Sequence, residues 1–287
     1  MTYRGIDDLI IGAGGADPNG NSSGRSYVVF GSKTGFPASL ELSTLKGVNG
    51  FALNGEAADD GSGDAVSAAG DVNGDGIDDL IIGADDASPN GDDSGRSYVV
   101  FGSDKGFQSA FDLSSLDGSN GFAMNGAATY DNAGRSVSSA GDFNGDGIDD
   151  VIIGASGEDA EEYSSGRAYL VFGSNQPFPT PIDLISLDGT NGIVLTGLEE
   201  NTSSVFNVSA AGDVNGDGLD DLIIGDSGSR VNATVRVGRS YVIFGSNDGL
   251  YLTSITLSGR RQLEWPVGDG FSLGWGFRFY FSFFRAA

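Results

Sequence analysis

The residues best suited to chemistry lie in three copies of one acidic loop. Asp71, Asn73 and Asp75 place oxygen-bearing side chains at alternate positions, Gly76 permits a sharp turn, and Asp79 closes the run at position 9. The pattern returns as Asp142, Asn144, Asp146, Gly147 and Asp150, and again as Asp213, Asn215, Asp217, Gly218 and Asp221. Positions 1, 3 and 5 of a tight loop can turn their oxygens to one centre, and position 7 can add its backbone carbonyl. Position 7 is Ile77, Ile148 or Leu219, whose apolar side chain can face a core while its carbonyl faces the loop. Such a donor set suits a hard cation that takes six to eight oxygens at ~2.3–2.6 Å. Calcium is the expected ion, at three sites. Magnesium fits less well, because it keeps waters and demands a tighter octahedron.

A plain Asx-turn hairpin would explain Asn, Gly and one Asp. It leaves unexplained why each loop gathers Asp at positions 1, 5 and 9 with no Lys or Arg among them. Two unpaired carboxylates ~4 Å apart repel by about 4 kcal/mol at an effective dielectric near 20, and a bound cation cancels that repulsion. The loop is not an EF-hand: position 12 is Ile82, Ile153 or Ile224 in place of a bidentate Glu, and a strand follows in place of a helix. Asp78, Asp149 and Asp220, at position 8, are expected to point into solvent. The chain opens on half of a fourth copy. There Thr2 stands at the place of Asn73 and Arg4 at the place of Asp75, and only Asp8 matches Asp79, so no ion is expected.

The elements that hold these loops repeat with them. Gly5, Gly76, Gly147 and Gly218 are each 71 residues apart. Gly-Arg-(Ser/Ala)-Tyr-x-(Val/Ile)-Phe-Gly begins at Gly24, Gly95, Gly166 and Gly238, and Asn-Gly-Phe-Ala-x-Asn-Gly begins at Asn49 and Asn120, with a degraded copy at Asn191. The units run over 1–61, 62–132, 133–203 and 204–258, the first lacking its start. Within the second unit, strands are expected near Ala65–Gly70, Leu80–Ala84, Ser97–Gly102 and Phe122–Asn125, where β-branched or aromatic runs sit between Gly, Asn, Asp and Ser clusters. Asp112–Leu116 reads as a further short strand or a helical turn. Leu80-Ile81-Ile82 and Tyr98-Val99-Val100-Phe101 are continuous apolar runs, which implies strands covered on both faces. Stacked blades of a propeller satisfy that requirement, and separate 71-residue domains do not.

Composition narrows the function. Acids outnumber bases 40 to 15, for a formal charge of −25, so phosphate backbones are repelled and nucleic acid is excluded as a partner. Cations are the natural counter-species. The chain has no Cys and no His, which removes disulfides, the usual zinc ligand and the usual base of a serine triad. No apolar run is long enough for a membrane helix, and no signal peptide precedes the first unit. Starting inside a unit points to a fragment or a shortened reading frame. Residues 259–287 depart from the repeat: Phe271, Leu273, Trp275, Phe277, Phe279, Phe281 and Phe283 alternate with smaller or polar residues. This tail reads as a strand that closes the ring, as an outer-membrane-like strand, or as a frame-changed end.

The loops and their flanks resemble the FG-GAP repeat of the integrin α-subunit β-propeller and its bacterial relatives. The resemblance rests on the cation loop at Asp71, Asp142 and Asp213, on Gly134-Arg135-Ser136-Val137 ahead of the second loop, and on Gly154-Ala155 after its strand. The family's proline after Gly-Ala is replaced by Asp85, Ser156 and Ser227. The resemblance implies an all-β propeller whose calcium loops are hairpins on one rim, with partners docking on the opposite face. It also implies an extracellular or cell-surface adhesion or recognition role, with a protein or glycan as partner. Four units fall short of the family's seven or so blades, so the chain is either a small closed ring, part of a larger propeller, or half of an oligomer. The competing expectation is a propeller-scaffold enzyme acting on polysaccharide, a lyase or glycosidase built on acid clusters such as Asp85-Asp86 and Glu158-Asp159; the favoured reading of these clusters is solvated loop charge.

Overall fold

The computed structural model describes residues 6–157, 166–196, 206–227, 230–232, 235–236, 238–247 and 254–256. The chain is all-β, and its sheets follow the repeat. The second unit gives strands β4 (Ala65–Gly70), β5 (Asp79–Ala84), β6 (Arg96–Val100) and β8 (Gly121–Asn125), paired antiparallel in that order. The third gives β9 (Ser136–Gly141), β10 (Asp150–Ala155), β11 (Arg167–Val171) and β13 (Gly192–Thr196) in the same arrangement. The first unit holds β1 (Leu9–Ala13), β2 (Arg25–Val29) and β3 (Gly50–Asn54). In the fourth, β14 (Phe206–Gly212), β15 (Asp221–Asp226) and β18 (Arg239–Ile243) form one sheet, and β16 (Arg230–Asn232) and β17 (Val235–Arg236) form a small separate hairpin.

The sheets of the first three units each also receive a strand from the following unit. Strand β7 (Ala110–Asp112) pairs in parallel with β3, β12 (Ile182–Asp183) with β8, and β19 (Ser254–Thr256) with β13. After β7 comes a 3-10 turn over Leu113–Ser115, so the stretch read as strand or helical turn is both, in sequence.

Continuous apolar strands are explained by this stacking. Leu80 and Ile82 pack with Val28, Phe30, Phe51 and Leu53 of the first unit. Ile81, between them, packs with Val151, Ile153 and Tyr169 of the third. Burying such a side chain fully contributes about 1.5–3 kcal/mol, so both faces of one strand stabilise the array. Phenylalanines bolt the units together from outside: Phe107 stacks on Phe51 at 4.1 Å, and Phe178 on Phe122 at 4.2 Å. Near the inner strands the backbones approach closely. A Cβ on Gly83 would sit 2.0 Å from the Gly134 carbonyl oxygen, so only glycine fits there.

One expectation about the loops is corrected. Asp85 reads as a solvated loop charge, but it is buried and accepts a hydrogen bond from Arg135 Nη1 at 2.8 Å. The third unit brings that guanidinium over the end of β5, which compensates the buried charge. The tail 259–287 and the acid pair Glu158-Asp159 lie outside the described residues.

Candidate metal centre

Each acidic loop joins the innermost strand of its sheet to the next: 71–78 links β4 to β5, and its counterparts link β9 to β10 and β14 to β15. The loop is built on its own N–H groups. Asp71 accepts from Asp75 N–H through Oδ1 (2.9 Å) and from Gly76 N–H through Oδ2 (2.8 Å). Asn73 Oδ1 accepts from Asp75 N–H (2.9 Å), and Asp75 Oδ1 from Ile77 N–H (2.9 Å). Asp142, Asn144 and Asp146 repeat these bonds, as do Asp213, Asn215 and Asp217. Gly74 and Gly76 take the φ of +71° and +83° that the tight turn requires.

Position 9 is different in kind. Asp79, Asp150 and Asp221 are fully buried. Asp79 Oδ2 accepts from Val72 N–H (3.0 Å) and Oδ1 from Gly102 N–H (2.7 Å), so one carboxylate ties the loop to the end of β6. Asp150 ties Phe143 to Gly173, and Asp221 ties Val214 to Gly245. Asp8 makes the Gly31 bond (2.8 Å) in the unit that lacks an acidic loop. Position 9 therefore has a structural duty of its own.

Electrostatics set the loops apart from ordinary turns. Burial pushes Asp79 up to about 7, with the charges of Asp75 and Asp71 adding to it against the two N–H bonds. Burial likewise pushes Asp150 up to about 8, with Asp146 and Asp142 adding. At the exposed third loop, the Gly218 N–H holds Asp213 below the ordinary carboxylate value. Among the described residues no group of three or more acidic side chains meets closely enough to form a finished ion cage. The oxygens are instead turned onto the loop's own backbone. A carboxylate oxygen has lone pairs beyond the one that accepts an N–H, so the donor set still fits a hard cation. Asp71, Asn73, Asp75, Asp79 and the Ile77 carbonyl would hold it in the first loop, with the matching residues in the other two.

The loops are also joined to one another. Asp149 Oδ2 accepts from Asp71 N–H at 2.8 Å, and Asp149 N–H donates to the Asp71 carbonyl at 3.2 Å. Asp220 makes the same two contacts with Asp142, at 3.0 and 3.2 Å. Ile148 is half-buried beside Gly74 of the preceding loop. Position 8 was expected in solvent. Asp149 and Asp220 instead bridge to the unit before, and only the exposed Asp78 fits the expectation. Recurrence of Asp at position 8 in all three loops was the available signal.

On the opposite rim, the Gly-Arg motif forms ion pairs. Arg96 pairs with Glu56, and Arg167 with Asp131 at 3.6 Å, while Tyr169 donates to Asp131 at 2.6 Å. Two clefts on the loop rim, of about 320 and 270 Å³, are lined by Phe101, Phe107 and Phe111, and by Phe30, Phe36 and Leu40, with Ser, Asn and Gly between. No ionisable side chain lines either cleft.

Stacked, mostly antiparallel sheets, three of them with an Asp-rich hairpin at one edge, define a β-propeller repeat protein. The family model for the FG-GAP repeat matches residues 62–100, 133–171 and 206–243, and the chain is an FG-GAP repeat protein. It is 30% identical over 77% of its length to integrin alpha pat-2 of Caenorhabditis briggsae, of which it spans 16%. It is 32% identical over 54% of its length to phosphatidylinositol-glycan-specific phospholipase D of Bos taurus, of which it spans 17%. Integrin alpha-5 of Xenopus laevis is 32% identical over 57% of this chain, which spans 14% of that protein. Among the described residues no helix is long and apolar enough to cross a membrane.

Proposed function

We propose that this chain is a calcium-stabilised, non-catalytic propeller module for extracellular or cell-surface recognition. The observation that carries the reading is the thrice-repeated loop that sets Asp at positions 1, 5 and 9 without a basic side chain. The buried position-9 carboxylate is raised by burial and by its loop partners at Asp79 and Asp150. A divalent cation supplies the charge that such a group lacks. The protein's own part is to fix the turn through Asp71, hold Asp79 at the strand end, and keep the hairpin rigid. The exposed residues of the polar loops on the opposite rim, Asp86, Ser88, Asn90, Asp92 and Thr129 among them, would meet a protein or glycan partner, and nucleic acid is disfavoured by the charge.

The test is native mass spectrometry and a thermal melt, with calcium and with excess chelator. Three bound ions and a lower Tm in chelator are expected, and Asp146→Ala should remove one ion and part of the shift. Each ion at ~100 times its Kd adds about 2.7 kcal/mol. A melt unchanged by chelator, with no ions retained, overturns the reading.

An enzymatic reading draws on the phospholipase D relatives. The match spans 17% of that protein, and the two clefts offer no acid or base. Hydrolysis of a phosphatidylinositol-glycan substrate or a polysaccharide by the purified chain would favour it.

A further inference from the structure

Equivalent residues of the four units differ sharply in exposure at the two ends of the array. Leu9 is 58% exposed, whereas its counterpart Leu80 is 6% exposed, and Val151 and Leu222 are fully buried. Those counterparts pack against the preceding unit. Phe36 is 57% exposed, whereas its counterparts Phe107 and Phe178 stack on Phe51 and Phe122 of the preceding unit. Strand β1 has no inner neighbour among the described residues, whereas β5, β10 and β15 each pair with one. Among the described residues, the first unit thus presents a ready face with nothing on it.

The fourth unit presents the complementary face. Val214 is 56% exposed, and its counterparts Val72 and Phe143 are fully buried. Ile223 is 39% exposed, and its counterparts Ile81 and Ile152 are fully buried. Those counterparts pack against the following unit. Among the described residues, the interface that joins neighbouring units within the chain therefore has one half open at each end, and the halves match because the repeat made them.

We propose that the open face of the first unit, centred on Leu9 and Phe36, docks on the open face of the fourth unit, centred on Val214 and Ile223, of a second copy of this chain. The contact is heterologous, so it extends head to tail or closes as a ring of copies. It continues the interface already formed between the units, and it needs no ion.

The experiment uses the full chain in sedimentation velocity over a concentration series, with calcium and with chelator. The wild type should gain mass with concentration in both. Leu9→Asp and Ile223→Asp place a charge on one face each, and circular dichroism checks that both remain folded. Phe36→Asp gives a second variant of the first face. Each single variant should be monomeric, because every contact needs one intact face of each kind. An equal mixture of Leu9→Asp and Ile223→Asp should form a dimer and stop there. A wild type that stays monomeric overturns the proposal, including one that shields Phe36 by closing on itself. So does an Ile223→Asp chain that still associates, since that contact would join like faces. A melt indifferent to calcium would remove the metal reading and leave this one standing.

Discussion

The carboxylate of Asp149 accepts a hydrogen bond from the backbone N–H of Asp71 at 2.8 Å, across the boundary between two repeat units. The bond places the first residue of one acidic loop under the control of the penultimate residue of the next. Asp142 and Asp220 repeat it at 3.0 Å. A hydrogen bond to a charged group contributes about 1.5–3 kcal/mol. Asp149→Ala should therefore lower stability by about that amount and weaken calcium binding at the loop of Asp71, as titration calorimetry would read. Asp78→Ala, at the exposed equivalent position, should stay within about 0.5 kcal/mol of the wild type. Equal effects of the two substitutions would show that the bridge carries no energy.

Positions 5 and 9 of the loop should separate on mutation. Asp150 satisfies the N–H groups of Phe143 and Gly173 inside the core, at 3.2 and 2.9 Å. Asp146 is exposed and accepts one loop N–H, at 3.0 Å. Leaving a buried donor unsatisfied costs about 1–3 kcal/mol. Asp150→Ala should thus destabilise the fold even in excess chelator, by about 2–6 kcal/mol for the two donors. Asp146→Ala should matter chiefly when calcium is present. Denaturant unfolding of both variants, with and without chelator, tests the distinction.

The raised carboxylates fix the sign of a pH effect. Asp79 and Asp150 have native values of about 7 and about 8, above the ordinary 3.8. Between those limits the native state binds more protons than the unfolded chain, so stability falls as pH rises. In chelator, Tm should decline from near pH 4 through pH 8. Saturating calcium requires the ionised ligands and should remove that decline, so the gain from calcium grows over the same range. A Tm in chelator that rises between pH 5 and 8 would contradict the assignment.

Much of this architecture was legible from the chain alone, for physical reasons that apply to particular residues. Leu80-Ile81-Ile82 lacks alternation because Ile81 meets one neighbouring unit and its flanking residues meet the other. The loop positions 1, 3, 5 and 9 were legible because each oxygen must reach a fixed turn. What escaped notice depends on a neighbouring unit. Asp85 looks solvated until Arg135 arrives from the next repeat, and Asp149 looks idle until the loop of Asp71 lies beside it. Local spacing carries no record of such partners.

The aromatic bolts offer a last comparison between chemically identical residues. Phe178 is half-buried and stacks on Phe122 at 4.2 Å with the rings 13° apart. It lies 6.0 Å from Phe101 as well. Phe36 holds the equivalent place with its ring in solvent. Truncating a buried Phe costs about 3–5 kcal/mol, and partial exposure reduces that figure. Phe178→Ala should therefore lose about 2–3 kcal/mol and loosen the contact between the second and third units, seen as faster amide exchange in β8 and β12. Phe36→Ala should cost the isolated chain less than about 0.5 kcal/mol. If it costs as much as Phe178→Ala under conditions where the chain is monomeric, then Phe36 has a partner within its own chain.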